Sequence, residues 1–117
     1  MHVENAIAFV TEQELPGLEI RVNFGVFAGR DATSAELEEL GKLLVPEAGS
    51  VSIVAEQRHE MSAGAETVLH QVRISVPPEH VPVHTQERRQ LCEKLVGLAG
   101  IWARRCIHER RGEIADL

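Results

Sequence analysis

The chain has 117 residues, 44% hydrophobic by type and 26% charged, which is enough for one domain with one core and too little for two. Eighteen acidic against twelve basic residues leave a net charge of -6, and only 3% of residues are aromatic, with no Tyr. That balance weighs against a nucleic-acid binder, which draws on basic patches and stacking rings. Two cysteines fall short of a disulfide framework, and no charged-then-apolar leader opens the chain. The longest uncharged apolar stretch, residues 95–103, is under half of the ~20 residues that span a bilayer. A reducing, cytoplasmic setting is therefore expected, and an integral membrane protein is not.

In chain order, residues 3–11 carry Val3, Ile7 and Val10 at a spacing that a strand and a helix share. A strand is the expectation, because the Glu-Leu-Pro-Gly turn at 14–17 leads straight into a second one. The register expected between them pairs Phe9 with Ile20, Ile7 with Val22 and Val3 with Val26. Residues 18–27 alternate Leu18, Ile20, Val22, Phe24 and Val26 with Glu19, Arg21, Asn23 and Gly25, the pattern of a half-buried strand. Next, Thr33 and Glu36 have capping-box spacing ahead of Leu37, Leu40 and Leu44, which predicts a helix that Pro46 stops.

Residues 51–60 and 67–76 read as an antiparallel hairpin. Pairing Val51 with Val76 also pairs Ile53 with Ile74, Ala55 with Val72, Gln57 with His70 and His59 with Val68, so apolar partners meet. Pro77 and Pro78 end the hairpin, Thr85 is a candidate cap, and a long helix should run to about Arg111 with Gly112 as its terminator. The order predicts an α+β, two-layer sandwich of ββαββα type, with a four-stranded, largely antiparallel sheet and two helices on one face. Residues 1–111 form the single domain and 112–117 a C-terminal tail.

No phosphate-binding glycine loop, His-Glu-x-x-His or Cys-x-x-Cys is present, so neither a cofactor nor a metal is expected. Cys92 and Cys106 lie fourteen residues apart on one predicted helix, about 21 Å by helical rise and beyond disulfide reach. Both read as small core residues. Among six histidines, His59 and His70 fall on the core-facing side of the hairpin with Gln57. A long helix antiparallel to the last strand would bring Trp102 and Cys106 over them, and these five residues are the ligand-site candidates. A Gln57–His70 hydrogen bond and a rim-exposed His59 would satisfy the same groups without any ligand. His80 and His84, interrupted by Pro82, belong to a loop. Arg30, between a strand end and a helix start, is an anion-binding candidate.

Seven of the twelve basic residues but only three acids lie between Gln86 and Arg111, a net +4 that leaves -10 on the remainder. The helix dipole and neighbouring acids account for much of this. The functional expectation is a small non-enzymatic domain acting through self-association or by binding a protein or small molecule. The alternative is a small enzyme with His59 or His70 as general acid or base on a carbonyl or enolisable substrate. A homo-oligomer, most simply a dimer, is expected. Ile101 and Ile107 flank the core face of the long helix, Gly97 and Gly100 leave its back smooth, and a four-stranded sheet has two edges that invite pairing.

Overall fold

A computed structural model describes residues 7–11 and 17–115, with side chains as far as His108. Strands β1 (Ala8–Thr11), β2 (Leu18–Val22), β3 (Ser52–Ser62) and β4 (Ala65–Val76) form one antiparallel sheet in the order β1-β2-β4-β3. Helices α1 (Phe24–Ala28), α2 (Ser34–Ala48) and α3 (Thr85–Ala115) pack on it, and a single 3-10 turn sits at Pro78–His80. This is the expected α+β sandwich with one addition, the short α1. Ile20, Val22, Val72 and Ile74 share one sheet face and join Leu40 and Leu44 of α2 and Leu95, Ala99 and Trp102 of α3 in a single buried cluster. Each large apolar side chain so buried stabilises the fold by about 1.5–3 kcal/mol.

The hairpin has the expected register along its whole length: Ile53 faces Ile74, Ala55 faces Val72, Gln57 faces His70 and His59 faces Val68. Strict alternation excludes a slip by one residue, which would turn one strand's apolar set to the wrong face. Its strands run beyond 60 and begin before 67, closing through Gly64 at φ 80°.

Three elements differ from expectation. In β1, Val10 rather than Phe9 faces Ile20, and Ala8 rather than Ile7 faces Val22. The segment 6–10 is apolar at every position, so it has no alternation to select between the two registers. The small Ala8, fully buried, lies on the core side where α3 crosses β1, and the bulkier Phe9 turns to the open face. The expected pairing of Val3 with Val26 lies outside the described residues.

The strand expected over 18–27 ends at Val22, and the chain turns into α1. Asn23 makes the break. Its amide donates to the Ile7 carbonyl at 2.9 Å, and its side-chain oxygen accepts from Gln71 at 2.7 Å. Gly25 then lets the α1 backbone lie directly on β4, since a Cβ there would come within 2.5 Å of His70 Cβ. Gly29, at φ 71°, closes the helix.

In α2 the Thr33–Glu36 capping box forms as read, but Pro46 lies inside the helix rather than ending it. Proline in the last turn forfeits one amide bond, and burial of Ala48 one half-turn later keeps the chain helical until Gly49. At α3 Thr85 is the first helical residue, and the His84 carbonyl accepts the Arg88 amide, so the cap position falls one residue earlier than expected. The α3 backbone continues past Gly112, read as its terminator, to Ala115.

Candidate functional site

The five candidate residues divide between two places. Trp102 is fully buried on α3. Its indole N–H donates to the Glu36 carbonyl at 2.9 Å, and its ring lies 5.2 Å from Phe24, tilted by 34°. Arg30 sits over the other part of this cluster, with its guanidinium 5.4 Å from the Phe24 centroid. Two guanidinium nitrogens donate to the two Glu36 oxygens at 2.7 and 2.9 Å, a fork-on-carboxylate pair. The anion held by Arg30 is thus the chain's own carboxylate. Glu36 also accepts from the Thr33 amide and from the Cys106 thiol. The Arg30 hydrogen bonds hold its carboxyl at about 2, well below the usual 4.5, against the opposing effect of burial. Burial pushes the Cys92 thiol up. Trp102 and Cys106 therefore belong to a fastening between α1, α2 and α3.

Gln57, His59 and His70 lie on the hairpin instead. His59 is exposed, with Nδ1 2.9 Å from Glu66 across the strands. His70 is partly buried beneath Gly25, with Nδ1 2.6 Å from the Asp31 carboxylate. Gln57 is exposed opposite it. Among the described residues no hydrogen bond, ion pair or ring contact joins either imidazole to Trp102. The reason is α1: it occupies the surface of β4 that the long helix was expected to cover, while α3 lies over β1 and β2. Among the described residues no group of three His, Cys, Asp or Glu is placed to hold a metal ion.

The hairpin itself is the most distinctive feature. β2 pairs with β4 only from Val22↔Val72 to Leu18↔Val76, whereas the β3–β4 ladder continues to Ser62↔Ala65. Residues 65–71 of β4, about 23 Å of strand, thus have β3 alone as ladder partner among the described residues. Along this arm the core-facing side leaves the shelter of the helices: Met61 is 75% exposed, Val68 43%, and Gln57 and His59 are exposed too. On α1, seated at the root of the arm, Val26 and Phe27 are also exposed. Among the described residues β3 is an edge strand throughout.

On the open face of the sheet, by contrast, the charged side chains pair with one another. Arg21 reaches Glu56 at 2.9 Å, Gln71 at 3.3 Å and Glu19 at 3.3 Å, and Thr11 donates to the same Glu19 at 2.7 Å. Arg73 lies 3.6 Å from Glu56. The buried Gln71 completes its bonding through Asn23. Two surface depressions lie at the base of the hairpin, away from its tip. One, of about 640 Å³, is bordered by Pro78, Val81, Pro82, Thr85 and Arg88. The other, of about 260 Å³, lies between Gly17 and Pro78. Neither includes a histidine.

The fold and site together describe a small α+β sandwich with a projecting two-stranded arm. Comparison with protein families, curated proteins and solved structures finds no match. Among the described residues no helix is long and apolar enough to cross a membrane.

Proposed function

We propose that this protein is a non-enzymatic association domain whose working element is the β3–β4 arm. The observation that carries the reading is the continuation of the hairpin beyond both β2 and the helices, which exposes Met61, His59 and Val68 on what is elsewhere the core side. A strand pair that buries little within its own domain gains little stability from its extra length, so a contact outside the domain is the economical reason for it. Edge strand β3 adds an outer row of backbone donors and acceptors, without ladder partners among the described residues, that suits strand addition. Two cysteines in 117 residues, too few for a disulfide framework, accord with a reducing compartment such as the cytoplasm.

The experiment uses the ¹⁵N-labelled chain in unlabelled extract of the cells that make it. Amide signals from residues 57–69 are expected to broaden or shift while those of Ile20, Leu44 and Ile74 stay sharp. Spectra unchanged along the arm, in extract and in concentrated pure solution alike, would remove the proposal.

A further inference from the structure

Resting on that reading, we infer that the partner is a second copy of this chain, joined through β3 in one register: antiparallel, two-fold symmetric and centred on Gln57. Two identical antiparallel strands are related by an axis perpendicular to the sheet, which permits only registers that place a residue opposite its own counterpart. β3 spans Ser52–Ser62, so its midpoint is Gln57, and this register alone pairs all eleven residues. It also places Glu56 opposite Arg58 of the second copy, twice over, on the open face. Registers centred one residue either side set Glu56 against Glu56 or Arg58 against Arg58. The strand is therefore complementary in charge to itself in the same register that gives it full overlap.

The other face agrees. Centring on Gln57 sets Met61 of one copy opposite Ile53 of the other, and Ile53 lies beneath α2, its Cδ1 3.7 Å from where a Cβ on Gly41 would sit. Met61, 75% exposed in the single chain, would gain an apolar neighbour at the edge of the core. Glu56 is held in place by Arg21 and Arg73 from behind, and among the described residues Arg58 pairs with its strand neighbour Glu60, at 2.8 Å. The result is one continuous sheet of eight strands with both β3 edges removed.

The test has two parts on the full chain. Sedimentation from micromolar to near-millimolar concentration should show a mass twice the 12.9 kDa of one chain. Arg58→Glu, which turns both cross-copy rungs into like-charge pairs, should weaken the dimer about tenfold without changing the circular dichroism of the fold. For register, Gln57→Cys places two thiols on the axis at directly opposed positions, within disulfide reach, and mild oxidation should link the copies. Ser62→Cys, whose counterparts stand about 33 Å apart in this register, should not link. A single-chain mass at every concentration overturns the inference, and the extract experiment then decides separately whether the arm contacts another protein. A dimer that links through Ser62→Cys but not Gln57→Cys places the contact at the arm tips and overturns the register.

Discussion

Glu36 shows how much a single side chain can fasten. Its carboxylate is gripped by Arg30 and Thr33, and its carbonyl by Trp102, so one residue ties the α1–α2 loop and α3 to the start of α2. With a carboxyl pKa of about 2 when folded and 4.5 otherwise, the ionised form favours the fold. This stabilisation is complete above pH 4.5 and disappears as pH falls through about 2. Glu36→Gln should therefore cost about 1–2 kcal/mol at neutral pH, after allowance for solvent screening, with the two proteins converging in acid. Urea melts across that pH range check it; a constant difference at pH 2 would assign the loss to packing. Phe24→Ala removes the ring that Trp102 and Arg30 both touch, and a loss of about 3–5 kcal/mol in the same melts is expected.

At the scale of elements, α1 is the decisive piece. Gly25→Ala should destabilise the domain by about 1–3 kcal/mol, because the new methyl meets His70 Cβ and the β4 backbone, neither of which can swing away. Differential calorimetry reads the loss, and an unchanged transition would show that α1 is not seated against β4. The arm should behave in the opposite way. Hydrogen exchange of residues 58–68 in dilute solution is expected to be much faster than at Ile20 or Ile74, since few buried contacts hold it.

The hairpin and the α2 cap were legible in the sequence because each rests on local pattern, alternation in one and a Thr-x-x-Glu spacing in the other. The β1 register was not, since an unbroken apolar run sorts equally well both ways. Nor was α1: Phe24 and Val26 continue the alternation of β2, and only Asn23 and Gly29 hint at a helical turn. That one miss displaced the candidate site, because the imidazoles and the indole were joined through a helix position that α1 in fact fills. Exposure of the arm depends on where the helices stop, a tertiary fact with no local signature.

For the whole molecule, the sheet is closed by a three-helix fastening as far as the root of the arm and is an uncovered ribbon beyond it, so stability and contact are carried by different residues. Arg58 and Met61 are free to be chosen for association, while Trp102, Phe24 and Glu36 are committed to the core. Replacing residues 58–69 by Asn-Gly, which joins the facing pair Gln57 and His70 by a two-residue turn, should leave the melting temperature within a few degrees and abolish association. Calorimetry and sedimentation on that variant separate the two roles.

The burial of Cys92 and Cys106, both on α3 with the single tryptophan, also makes the chain its own chemical clock. A thiol-modifying reagent can reach either sulfur only when α3 lifts from the sheet, so labelling counts openings of that helix one molecule at a time. Indole fluorescence reports the same event from Trp102, one turn from Cys106. Equal labelling at both cysteines would mean that α3 leaves as one piece; faster labelling at Cys106 than at Cys92 would mark the C-terminal half as the end that unzips first.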